Sequence, residues 1–269
     1  MIVLIAILLS ILILGIMYWS SQSRDASFQR KYDMVSDLRA LVTLCRQHRS
    51  ASHKILQHNN LRNDEIDLIE QKMMSACESV INQAHFDNKP IYRILHSKLK
   101  KLLSEWETLT VSQNQMAHGR SIRHCLFLID EVVLAWLIEA QKTDLSDEYN
   151  LKWQQIIDSL EALTQFRLTI QDAETQNGFS RLQLHSSTVT RRLNQLALIS
   201  PTAVASPACS LVCKQLEELS DSSTLDYTND QLYKMSTDAS LVIFNCYDCI
   251  LTEIAENIYE PLPKLVLSI

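Results

Sequence analysis

Residues 126–140, LFLIDEVVLAWLIEA, are the second most apolar stretch of the chain, and reading them as a membrane span or as a buried helix decides the fold. Asp130, Glu131 and Glu139 fall inside the stretch. A carboxylate near a bilayer centre costs several kcal/mol, so three of them point to a helix inside a protein core. The sequence before it repeats this character at helical spacing. Met34, Leu38, Leu41, Leu44 and Cys45 mark a helix from Ser27 to about Asn59. Asn63 caps a second helix, Asp64 to Ala84, whose acidic start suits its dipole. Pro90 opens a third, carrying Leu95, Leu99, Leu102, Leu103 and Trp106, and the fourth runs from about Gln113 to Lys142.

Further on, Ser146 starts a long helix that Asn177-Gly178 is expected to end near Thr175, and another runs from Phe179 to Ile199. Residues 201–207, PTAVASP, break the chain before a short amphipathic helix, Ala208 to Leu219, and a last long one, Thr228 to Tyr259. Three glycines and five prolines deny β-hairpins and tight turns the residues they need. The expected fold is therefore all-α: an N-terminal transmembrane helix (1–23) followed by two packed four-helix, up-and-down halves (24–145 and 146–269). A faint internal echo fits that division, with Leu38, Ala40, Leu41 and Leu44 matching Leu160, Ala162, Leu163 and Phe166 at the same offsets.

The most apolar stretch, Ile2 to Trp19, carries no charge, and at about 1.5 Å per residue it covers most of a hydrocarbon core of about 30 Å. Tyr18 and Trp19 stand where an interfacial aromatic belt belongs. Without a basic residue ahead of Ile2, the segment reads as an anchor in the lipid bilayer rather than a cleaved signal peptide. Arg24, Arg30, Lys31 and Arg39 follow it closely, which favours a single-pass protein of a bacterial inner membrane with its domain on the cytoplasmic rather than the periplasmic side. Seven cysteines, an odd number, fit a reducing compartment better than a disulfide framework. A net charge of −6 without a continuous basic stripe gives no nucleic-acid surface.

Arg46 and Arg49 lie three residues apart on an otherwise apolar helix, and a guanidinium held inside a bundle suits an oxyanion because its fork gives paired hydrogen bonds. A solvated basic face, or pairing with Asp or Glu of a neighbouring helix, is the alternative. Arg167 stands at a similar depth in the second half, one helical turn from Arg49 by the echo above, so the two are candidates to converge on one anion. His118, Arg120, Arg123 and His124 form a basic cluster expected at the head of the fourth helix. The two histidines are six positions apart with no acid between them, a poor metal spacing. Cys246 and Cys249, and Cys209 and Cys213, have thiol-pair spacings, but in amphipathic helical sequence they read as small core residues. With no phosphate loop, nucleophile elbow or HExxH, neither an enzyme nor a cofactor is expected.

Three stretches resemble the nitrate- and nitrite-sensing (NIT) domain family. Cys45 to Leu56 (CRQHRSASHKIL) is similar to that family's LQ-x-E-R-G-x-S-x-x-x-L segment, with Arg49, Ser52 and Leu56 in register and His48 and Ser50 in place of its Glu and Gly. In His118 to Val132, His118, Ile122, Leu128, Ile129 and Asp130 match a second segment, and Ala162 to Arg167 (ALTQFR) resembles the start of the family's second half. The resemblance spans roughly Asp33 to Tyr259. It implies two packed helical halves holding a nitrate- or nitrite-like oxyanion, with Arg49 the first candidate ligand, Arg167 the second, and Arg46, Ser52 and His118 beside them. The sequence given carries no kinase, cyclase, RNA-binding or methyl-accepting module, so a signal is expected to leave through a protein partner. A parallel homodimer through the extended first helix is compatible with this reading. The competing expectation is a non-catalytic helical scaffold that has lost the anion and recruits a partner protein to the membrane.

Overall fold

A computed structural model describes residues 2–201 and 207–263, with side chains from residue 7 onward. The described residues form eight α-helices: α1 (Ile2–His58), α2 (Asp64–Gln83), α3 (Lys89–Glu105), α4 (Val111–Glu139), α5 (Thr143–Thr169), α6 (Gln176–Ile199), α7 (Pro207–Asp221) and α8 (Asn229–Ile258). α1 packs along α2 and α4, and α3 closes the first group between them; α5 packs on α6 and α8, with α7 set against both. α4 and α5 join the groups, and buried side chains from all eight helices make one continuous core. Leu126, Ile129, Val133 and Leu137 are buried within it, as a core reading of 126–140 requires.

Cap chemistry sets the helix starts. The Asn63 side chain accepts from the Ile66 amide, and Thr110 and Thr228 form capping boxes with Gln113 and Gln231. Two reversals use a left-handed residue: Asn59 (φ 51°) after α1 and Gln141 (φ 57°) between α4 and α5. Because Gln141 turns the chain so tightly, α5 begins at Thr143, ahead of the Ser146 that the sequence offered as its start.

The α5–α6 corner differs from expectation. Asn177-Gly178 does not end α5: that helix stops at Thr169, and Gly178 lies in the first turn of α6, its amide donating to the Oγ1 of the capping Thr175. None of the glycines has a positive φ. Gly178 is required for close approach, since a Cβ there would sit 1.8 Å from the Asp172 carbonyl oxygen. Gly178→Ala should therefore force the corner apart at a cost of about 1–3 kcal/mol, read as a fall of about 3–10 °C in the thermal midpoint.

α1 is a single helix of 57 residues. Among the described residues, no helix is long and apolar enough to cross a membrane. The side chains of residues 2–6, about the first quarter of the expected anchor, lie outside the described residues, as do residues 202–206 of the PTAVASP break and the final residues 264–269. Of the basic residues that follow the expected anchor, Lys31 pairs with Glu139 and Arg39 with Asp248, leaving Arg24 and Arg30 exposed.

Candidate functional site

Helical spacing divides α1 between residues 45 and 55 into two faces. His48 and Ser52 point towards α4, whereas Arg46, Arg49 and His53 line a cavity of about 600 Å³ completed by α2, Arg167 of α5 and Tyr233 and Ser236 of α8. The structure thus brings Arg46, Arg49 and Arg167 to one cavity. Arg49 and Arg167 are buried, and the Nε of Arg46 is wholly buried without a hydrogen-bond partner.

The cations are positioned without carboxylates. Arg46 stacks its guanidinium over Phe244, 4.4 Å from the ring centroid. Arg167 donates from Nε to the Ser236 hydroxyl (3.0 Å) and from Nη2 to the Ser236 carbonyl (2.8 Å), while the hydroxyl itself donates to the Tyr233 carbonyl (2.7 Å). Among the described residues, the carboxylates that pair with arginine go to others: Asp248 to Arg39, Glu161 to Arg123, Asp158 to Arg192, Asp172 to Arg181, and Asp67, Glu70 and Glu107 to Arg62. Among the described residues Glu65 is the one acidic side chain in the cavity lining, and it is exposed.

The electrostatic consequence is strain on the charged forms. Burial, reinforced by Arg49, pushes the Arg46 guanidinium down to about 9, and burial pushes Arg49 down to about 10. Arg167 is also lowered, first by burial and then by the charges of Arg49 and Arg46. Three desolvated cations in one another's field cost free energy that an anion in the cavity would recover.

Ser52 and His118 do not line this cavity. They belong to a buried polar strip behind it, where Asn114 donates its amide to the Ser52 hydroxyl (3.0 Å). The strip continues through both histidines. His118 Nδ1 lies 2.9 Å from the Asn114 carbonyl and so carries a proton, which leaves its Nε2 to accept from His48 Nδ1 at 2.7 Å. His48 Nε2 then faces Glu70 Oε1 at 3.1 Å, a contact that needs one proton shared between them. Trp106 Nε1 donates to the same oxygen (2.9 Å), and Arg62 holds the other (2.7 Å). Burial lowers the His48 pKa, with Glu70 opposing that shift.

His118 is pushed down to about 3, by burial and then by His48, and His53 to about 4, chiefly by burial. Both folded-state values lie below the ordinary 6.5. The unfolded chain therefore binds more protons through that window, and stability is full above pH 6.5 and lost as pH falls towards 4. At pH 5 the His118 contribution alone is about 2 kcal/mol. Melting curves between pH 8 and pH 4 should be flat down to about 6.5 and then fall steeply, with a shallower fall in His118→Gln.

The basic cluster expected at the head of α4 is dispersed. α4 begins at Val111, so His118 lies two turns inside; Arg123 pairs with Glu161, and Arg120 is exposed. None of the seven cysteines is in a disulfide; Cys246 is buried and Cys249 exposed, and the Cys209 and Cys213 sulfurs lie 4.0 Å apart. Among the described residues no group of three or more His, Cys, Asp or Glu is placed to hold a metal. Sequence reasoning missed Glu70, Trp106, Tyr233 and Ser236. The signal available was the pair of polar i, i+4 spacings, His48–Ser52 and Asn114–His118, on apolar faces. No family model, curated protein or solved structure matches the chain, so the arrangement of these side chains carries the functional reading.

Proposed function

We propose that the protein is a membrane-anchored, non-catalytic sensory module that binds an oxyanion between its two helical groups, nitrate and nitrite being the ions its resemblance names. The observation that carries this reading is the convergence of Arg46, Arg49 and Arg167 on one cavity without a carboxylate partner among the described residues. An anion there replaces the lost hydration of three cations and binds α1 to α5 and α8, so occupancy is coupled to how the two groups sit against each other. Support for the anchor comes from the uncharged run 2–19 and from the exposed apolar side chains of Ile7 to Trp19, including Trp19 at 74%. Arg24 and Arg30 favour the cytoplasmic side of a bacterial inner membrane, and the output passes to a protein partner. The alternative, a scaffold that has lost its anion, would be favoured by arginines neutralised within the fold.

The test is calorimetric titration of the detergent-solubilised chain in chloride-free buffer with nitrate, nitrite and other oxyanions. Saturable binding that is lost in Arg49→Ala is the expected result; a well-folded chain that binds none of them leaves the scaffold.

A further inference from the structure

The arginine cavity is much larger than the ion that a nitrate sensor needs to hold. Its volume of about 600 Å³ falls in the range of about 300–1,000 Å³ that encloses small organic molecules. A four-atom inorganic anion occupies only about twice the ~30 Å³ of a water molecule, leaving about nine-tenths of the space unfilled.

The lining is also graded along α1. Arg46 and Arg49 stand at one level; Ile55 comes about 9 Å beyond Arg49 at about 1.5 Å per residue, and Leu61 and Leu68 follow on the α1–α2 connection and α2. Leu61 is 91% exposed and Leu68 49% exposed, so large aliphatic side chains stand in water at the mouth beside the exposed Lys54, Glu65 and Lys72, while Arg49 and Arg167 lie buried at depth. Between the two levels the buried Nδ1 of His53 has no hydrogen-bond partner, and its ring packs on Tyr233 at 4.1 Å. Charge points the same way as size. A monoanion balances one of three guanidiniums, whereas a dianion with several oxygens engages more than one of them through paired hydrogen bonds.

We infer that the site takes an organic dianion, a doubly charged oxyanion head seated among Arg46, Arg49 and Arg167 with an apolar body reaching towards Ile55, Leu61 and Leu68. This rests on the reading of the cavity as an anion site. Phosphomonoesters and alkylmalonates share the chemistry required, both being largely dianionic at pH 7.5.

The test is calorimetric titration of the full chain in dodecyl maltoside at pH 7.5 without chloride, each titrant corrected for a micelle blank. The titrants are nitrate, inorganic phosphate, ethyl, butyl and hexyl phosphate, hexylmalonate, and heptanoate as a monoanion with a similar body. Hexyl phosphate and hexylmalonate are expected to bind at least 100-fold more tightly than nitrate and about tenfold more tightly than heptanoate. Each methylene from ethyl to hexyl phosphate should add about twofold to fourfold. In the double variant Leu61→Ser, Leu68→Ser, whose sites are exposed enough for the fold to tolerate them, ethyl phosphate should bind as before and the length dependence should flatten. Nitrate binding as tightly as hexyl phosphate, dianions binding no better than heptanoate, or a length dependence that is absent or untouched by the double variant would each overturn the inference while leaving an anion site. If no titrant binds, nitrate included, the anion reading of the cavity fails instead.

Discussion

An Arg49→Met variant is expected to be more stable than the parent in the absence of anions, and to bind anions far more weakly. Arg49 is 8% exposed, and no carboxylate among the described residues pairs with it. Its charge is desolvated beside Arg46 and Arg167, each of which it makes harder to protonate. Methionine keeps the aliphatic volume and removes the charge. By analogy with other buried charges replaced by apolar groups, the gain is about 1–3 kcal/mol, a rise of about 2–10 °C in the midpoint. The same change removes a paired donor from the ligand and should weaken anion binding at least 100-fold, equivalent to about 3 kcal/mol. Added anion should then raise the midpoint of the parent and leave that of the variant unmoved. Differential scanning calorimetry in chloride-free buffer reads both. A variant less stable than the anion-free parent would mean that Arg49 is already compensated within the fold.

Glu70→Leu should have the opposite sign and a larger size. One oxygen of Glu70 serves both Trp106 Nε1 and His48 Nε2, while the other holds Arg62. Trp106 and His48 have no exposed surface, so loss of the carboxylate strands an indole N–H and one end of the histidine chain where water does not reach. The expected cost is about 3–5 kcal/mol, seen as a shift of the urea midpoint. Glu70→Gln should be intermediate: a single amide atom can satisfy Trp106 or a neutral His48, but not both. Glu107→Leu, at an exposed carboxylate that meets only Arg62, is the control and should cost at most about 1 kcal/mol. Equal losses in Glu70→Leu and Glu107→Leu would remove the histidine chain from the account of stability.

The helices were legible because their signals are local. Leu38, Leu41 and Cys45, or Leu95 and Leu99, repeat at the helical period, and Asn63 and Thr228 announce their helices within a residue of the observed start. The α5–α6 corner was misread because Asn-Gly ordinarily supplies a left-handed turn, whereas Gly178 instead makes room for the Asp172 carbonyl, a need that only the neighbouring chain reveals. Arg46 and Arg49 stood out as charges on an apolar helix, and Arg167 followed from the echo between the halves. Ser236, which aims Arg167, and Glu70, which closes the histidine chain, are set by contacts across 69 and 22 residues of sequence and carry no local mark. His118, read as part of a basic cluster, and Ser52, read from the family-like segment, were set beside the anion but lie in the strip behind the cavity, because spacing alone does not say which neighbour a face meets.

The continuity of α1 has a mechanical consequence. Between Ile16 and His58 the helix contains neither glycine nor proline, so the stretch from Trp19 to Arg49 is a strut of about 45 Å with no joint. With no Gly or Pro to absorb it at a kink, an axial slide or a twist imposed at the arginines would be carried towards Tyr18 and Trp19, and the lever would work in both directions. If those aromatic rings ride at the interface of a bilayer and the cavity holds an anion, whatever fixes the depth of the rings would bias the posture of Arg46 and Arg49, and by linkage membrane thickness and the anion would each act as an effector of the other.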